Sequence, residues 1–315
     1  MRPDASSSTV VDNCGHPPQG GVGAGPGKTG LDRSRVRLNI SAGLPMTAPV
    51  TVLSFAEARR SGMRPERQDV WVDHCRVEVL GLGEGQPLLF LHGWGLSPRA
   101  YLPALRSLAE RGYRITAPSL PGFGRSDVRR NRDHSLHGVA DHMIEALDAL
   151  ALPGRPPVVA HSFGAGVAVR IAALRPDLLS GLTLISPVGG AGHGAVAWPQ
   201  VLIGMCDDAR PRVAAAGVRD FLAAALRNPA AITASGLAAR TADSVPDLRA
   251  AVAAGISVRL VFAAADRVVR PGDLPTCAVG LSTETVRGSH GWLLSEPQRF
   301  ADLVSTRPDP VAVTA

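Results

Sequence analysis

A chain of 315 residues, 45% of them hydrophobic, can bury a large core and hold one large domain or two small ones. The formal net charge of +6 does not mark a nucleic-acid surface: residues 1–68 hold nine Lys or Arg against five Asp or Glu, leaving the remainder close to neutral and without a basic stripe interleaved with aromatics. Cys14, Cys75, Cys206 and Cys277 are scattered with no C-x-x-C pair, which argues against a disulfide framework or a zinc site, and no apolar run reaches the length of a membrane span.

Residues 1–45 are rich in Ser, Gly and Pro and lack apolar periodicity, so they are expected to be a disordered extension. Within them Gly27-Lys28-Thr29 resembles the end of a phosphate loop. Its glycine partner five positions earlier is Val22, and no hydrophobic strand precedes it, so nucleotide binding is rejected. Ordered sequence begins after Met46, which is the expected start. The N-terminus has no apolar core of a secretion signal, and with the scattered cysteines a reducing, cytoplasmic compartment is expected.

Alternation of apolar residues from Val70 to Leu80 predicts two antiparallel strands, followed by turn chemistry over Gly81 to Pro87. Leu88 to Leu91 is a buried strand running into His92-Gly93-Trp94-Gly95, and Tyr101 to Arg111 an amphipathic helix. Ile115 to Ala117 is the next strand. It enters a Pro- and Gly-rich loop, Pro118 to Asp127, and Ser135 to Leu150 follows as a helix with Val139, Met143, Ile144, Leu147 and Leu150 on one face. Val158 to Ala160 is a strand and Gly164 to Leu174 a helix, with Ser162 caught at the corner between them. Such a corner needs small residues two positions either side of the serine; Ala160 and Gly164 supply them, Ala160 standing where Gly is usual. Leu182 to Ile185 and Val258 to Phe262 are further buried strands, and Thr285 and Val286 end another. Between Pro187 and Ile256 the alternation gives way to Ala-rich helices such as Pro211 to Leu226 and Pro246 to Ala254. That insertion reads as a small helical lid over the strand ends, with Trp198, Leu202, Met205, Phe221 and Leu222 as candidate pocket or packing residues.

A serine hydroxyl is a poor nucleophile near neutral pH and needs a base, and the base needs a group that holds its tautomer. Asp266 lies in the loop after the strand Val258 to Phe262, and His290 in the loop after the strand ending at Val286, where each can face the corner at Ser162. Asp273, seven residues after Asp266, is an alternative acid.

The chain order Ser162, Asp266, His290, together with H-G-W-G at His92, L-P-G-F-G-R-S-D at Leu120, A-H-S-F-G at Ala160 and S-H-G-W-L-L-S-E-P-Q-R-F at Ser289, resembles the α/β-hydrolase fold over residues 70–305. The resemblance implies a mostly parallel eight-stranded sheet with helices on both faces, its core formed by residues 46–187 and 257–305. It also implies a helical lid over 188–256 after the sixth strand, and 306–315 remain as a flexible tail. It assigns Ser162 as nucleophile, His290 as base and then acid, Asp266 as orienter, and the backbone N–H groups of Trp94 and Phe163 as the oxyanion hole. His92, His161, Ser126 and Asp127 are read as structural, and Trp292 and Trp94 as possible pocket walls.

The expected activity is hydrolysis of a small or medium, mostly apolar ester, thioester or lactone through an acyl-enzyme, with a small-molecule substrate and no metal or organic cofactor. Serine at the corner argues against the dehalogenase and epoxide-hydrolase branches, whose nucleophile is a carboxylate. Carbon–carbon bond hydrolysis of a diketone, acyl transfer and a catalytically weak ligand sensor stay open on the same residues.

Overall fold

The computed structural model of the protein describes residues 64–128, 133–190, 211–270, 274, 281 and 283–306. The expectations for residues 1–45, Met46 and 307–315 lie outside them.

The chain runs β1 (Glu66–Val72), β2 (Cys75–Leu82), β3 (Gln86–Leu91), α1 (Leu102–Glu110), β4 (Tyr113–Pro118), α2 (Leu136–Leu150), β5 (Val158–His161) and α3 (Phe163–Leu174). It continues with β6 (Gly181–Ile185), three helices α4 (Pro211–Arg227), α5 (Pro229–Thr241) and α6 (Val245–Ala253), then β7 (Ser257–Ala263), β8 (Thr283–Val286), α7 (Trp292–Ser295) and α8 (Pro297–Ser305). The eight strands form one sheet in the order β1-β2-β4-β3-β5-β6-β7-β8. β1 pairs β2 and β2 pairs β4 antiparallel, and every later pair is parallel.

The sequence explains this split. β1 and β2 are joined by the two residues Asp73 and His74, both with positive φ (44° and 61°), a turn whose twist matches a hairpin. β3, β4, β5 and β6 are each followed by helices before the next strand, and a parallel pairing needs such a crossover. The central strands are buried on both faces, which is why Leu88 to Leu91 and Val158 to His161 carry no exposed residue.

Two apolar layers flank the sheet. On one side α2, α3 and α6 pack through Val139, Met143, Val167, Ile171, Leu248 and Ala251. On the other α1 and α8 pack through Leu105, Leu108, Phe300 and Leu303. α6, which falls within the stretch 188–256, thus packs on α3 as part of the layer that covers the sheet. Among the described residues no helix is long and apolar enough to cross a membrane.

Candidate active site

Ser162 stands between β5 and α3 with φ 53° and ψ −117°, a backbone conformation that L-residues rarely adopt. The parallel pairing of β5 with β3 and β6 holds the strand from both sides, and the turn lifts the side chain above the carboxyl edge of the sheet. Crowding behind the turn explains Gly164. A Cβ there would sit 2.4 Å from the His92 carbonyl oxygen and 2.7 Å from that of Leu91, both backbone atoms that cannot yield. Gly164→Ala is therefore expected to destabilise the fold by about 3 kcal/mol, measurable by urea unfolding, because the clash meets main chain rather than a mobile side chain.

The loops after β7 and β8 bring the other two groups to the serine. His290 Nε2 lies 2.9 Å from Ser162 Oγ, and His290 Nδ1 lies 2.8 Å from Asp266 Oδ2. Asp266 Oδ1 accepts the backbone N–H groups of Val268 and Val269, both at 2.8 Å. A carboxylate only accepts, so His290 carries its proton on Nδ1 and presents a lone pair on Nε2 to the serine hydroxyl. Burial alone would raise the Asp266 carboxyl. The His290 ring and the Val269 N–H outweigh it and bring the pKa down to about 2, so the group stays ionised. All three side chains are buried. Asp273 lies outside the described residues.

His92 and His161 brace the loops. His92 Nε2 accepts the Leu120 N–H at 2.9 Å, which leaves Nδ1–H to donate to the Gly93 carbonyl at 2.9 Å. Burial pushes its pKa down to about 4, so the ring is neutral. Ser126 Oγ accepts the Glu78 N–H and donates to the Ser119 carbonyl, while Asp127 accepts the Arg76 N–H. Both therefore hold the 119–127 loop against β2.

Phe163 is the first residue of α3, so its N–H is one of the helix-start donors that has no intrahelical acceptor. Trp94 follows β3 and, with Leu96, Val268 and Leu294, walls a small cavity that also contacts Ser162 and His290. The Trp94 indole N–H donates to Ser235 Oγ (3.1 Å) and the Ile232 carbonyl (3.3 Å) of α5, and its ring lies 5.4 Å from that of Phe221 on α4. Ser97 donates to Asp220 of α4, and Asn228 Nδ2 to the Gly122 carbonyl at 3.2 Å. The inserted helices α4 and α5 are thus docked on the loop that carries Trp94.

The sequence-derived pocket residues fare differently. Phe221 contacts Trp94 and sits over Gly95 rather than lining the cavity. Leu222 is exposed. Trp292 is fully buried against Phe300 in the α1–α8 layer, with Arg299 over its ring, and is not among the residues lining the cavity. Trp198, Leu202 and Met205 lie outside the described residues. Tyr101, whose hydroxyl touches both Gly93 and His161, was missed, because a tyrosine opening an amphipathic helix carries the same signal as any aromatic core residue.

The pattern described by the alpha/beta hydrolase family matches residues 88–303. The chain belongs to that family. A candidate non-heme haloperoxidase of Mycobacterium phage D29 is 29% identical over 259 residues, 75% of this chain and 92% of that protein. The pimeloyl-[acyl-carrier protein] methyl ester esterase of Aeromonas salmonicida is 33% identical over 110 residues, covering 35% of this chain and 41% of the relative, less than half its length. Among solved structures, a serine hydrolase involved in carbazole degradation superposes with a TM-score of 0.64 at 18% identity, covering 76% of this chain and 97% of that one. At that identity the likeness shows the α/β-hydrolase fold alone. Among the described residues no group of three or more His, Cys, Asp or Glu side chains is placed to hold a metal ion.

Proposed function

We propose that the protein is a serine hydrolase that cleaves a small or medium, mostly apolar ester, thioester or lactone through an acyl-enzyme. The observation that carries this reading is the unbroken hydrogen-bonded line from Ser162 Oγ through His290 to Asp266. In the first step Ser162 Oγ attacks the acyl carbon while His290 Nε2 takes the hydroxyl proton, and the Asp266 carboxylate stabilises the imidazolium. The tetrahedral oxyanion is received by the N–H groups of Phe163 and Trp94. His290 returns the proton to the leaving alcohol or thiol. Water, deprotonated by the same nitrogen, then releases the acid and restores the serine.

The cavity supports the apolar substrate class. Its walls are Trp94, Leu96, Val268 and Leu294, and no Lys or Arg is among the described lining residues. A diketone acid would bring a carboxylate into that apolar space without a cation to receive it, so ester-type substrates are favoured over carbon–carbon cleavage. Residues 188–256 act in this reading as a lid: α6 anchors on α3, and α4 and α5 close over the Trp94 loop.

A fluorophosphonate probe tests the reading. Ser162 is expected to be the labelled residue, located by peptide mass spectrometry, with loss of turnover on short-chain p-nitrophenyl esters in proportion to labelling. An unlabelled Ser162 in active protein would sink the proposal.

A further inference from the structure

A buried line of hydrogen bonds runs behind the site and touches none of the reacting atoms. The Gly93 N–H donates to the Tyr101 hydroxyl at 3.0 Å, that hydroxyl lies 2.8 Å from His161 Nδ1, and His161 Nε2 lies 3.0 Å from the His290 carbonyl oxygen. Both ends of the line are fixed by chemistry. A backbone N–H only donates and a carbonyl only accepts. The Tyr101 O–H must therefore donate to His161 Nδ1, and His161 must donate through Nε2–H to His290.

We propose that Tyr101 is a positioning residue for the reaction: by fixing the His161 tautomer, it makes that ring hold the backbone of His290 and ties it to the loop carrying Trp94. This role rests on the reading of Ser162 and His290 as nucleophile and base. The loops after β3 and β8 and the end of β5 are joined by one tyrosine and one histidine. Tyr101 and His161 are both buried, and a Cβ on Gly93 would lie 3.0 Å from the Tyr101 hydroxyl and 3.1 Å from His161 Nδ1, so the line has little room to shift.

A purely structural Tyr101 does not account for the hydroxyl. The ring packs on Phe90 at 5.0 Å between centroids, a task phenylalanine performs equally well. What phenylalanine lacks is the acceptor for Gly93 and the donor for His161. Without them the reversed tautomer becomes accessible, in which His161 Nε2 turns a lone pair on the His290 carbonyl and repels it. The two histidine rings lie 4.8 Å apart, so a shift of the His290 main chain moves its imidazole relative to Ser162. Burial, and next the nearby His290, hold His161 down at about pKa 3, so the line works with a neutral ring.

The test uses the full-length chain and its Tyr101→Phe variant. Turnover is followed on a p-nitrophenyl ester, and ring tautomers by long-range nitrogen–proton NMR correlations. In the unmodified protein His161 is expected as the neutral ring protonated on Nε2. In Tyr101→Phe that signature is lost or mixed, and kcat falls about tenfold, the scale of one lost hydrogen bond, while KM stays within about twofold. An unmodified protein with His161 protonated on Nδ1, or a folded Tyr101→Phe with wild-type kcat and an unchanged tautomer, overturns the proposal. Should Tyr101→Phe fail to fold, His161→Gln, which keeps a donor toward the His290 carbonyl, is expected to turn over about tenfold faster than His161→Leu; equal rates overturn it. Fluorophosphonate labelling separates the two layers: protein that labels at Ser162 but ignores Tyr101→Phe loses only the positioning role, and protein that does not label loses the nucleophile reading together with it.

Discussion

Replacing Asp266 with Asn is expected to lower kcat by about 10⁴-fold with little change in KM, and Ser162→Ala by about 10⁶-fold. The geometry dictates how the first substitution fails. Asp266 Oδ1 is held by two backbone N–H groups, those of Val268 and Val269 at 2.8 Å, and only an oxygen can accept them. The carbonyl oxygen of an asparagine must keep that place, so its NH₂ group is turned on His290 Nδ1. That nitrogen then has to accept, the ring proton moves to Nε2, and Nε2 faces the serine hydroxyl as a donor. The base is present but in the wrong tautomer. Steady-state kinetics on an ester, with circular dichroism to show that both variants fold, checks the result. An Asp266→Asn protein with unchanged turnover would remove Asp266 from its assigned role.

Ser162 and Asp266 were legible because each closely follows a short aliphatic strand, and His290 because its loop motif, rather than the polar strand β8, marks the place. Ser162, Asp266 and His290 come one, three and four residues after β5, β7 and β8, and a buried parallel strand is a strong sequence signal. Strand ends were harder to read for the opposite reason. β1 begins at Glu66 and β8 at Thr283, where the residues are exposed and polar, so hydrophobic patterning saw only the inner parts of those strands. The hairpin turn at Asp73-His74 lacks the Asn-Gly or Asp-Gly signature of its type. Tyr101 and Trp292 show the limit for side chains. Both are large aromatics near a helix start, yet one hydrogen-bonds the site and the other fills the core. Nothing local distinguishes them, because the difference lies in which distant backbone groups each meets.

The same buried histidines that hold the loops should make the protein sensitive to mild acid. Burial lowers the pKa of His92 from 6.5 to about 4, and burial with the nearby His290 lowers that of His161 from 6.5 to about 3. In the unfolded chain both rings take up protons as pH falls through 6.5, whereas the folded protein refuses them. The stability they contribute is thus fully present above pH 6.5 and is lost as pH falls toward the folded values, on the order of 3 to 5 kcal/mol for each ring. Asp266 acts in the same direction but lower: its contribution is complete above 3.8 and lost as pH falls toward about 2. Asp220 opposes them, since burial raises its carboxyl and acid relieves that cost, but it is one group against two rings. Urea unfolding across pH 7 to about 4.5 is therefore expected to show stability falling with a slope that approaches about 2.7 kcal/mol per pH unit. His92→Gln keeps a donor and an acceptor but cannot titrate, and should halve that slope whatever it does to stability at neutral pH. A stability that stays level across the same range would mean that the two rings are charged, or free to charge, in the folded protein, and would contradict the hydrogen bonds that His92 accepts from the Leu120 N–H and His161 from the Tyr101 hydroxyl, which require each ring to keep a lone pair.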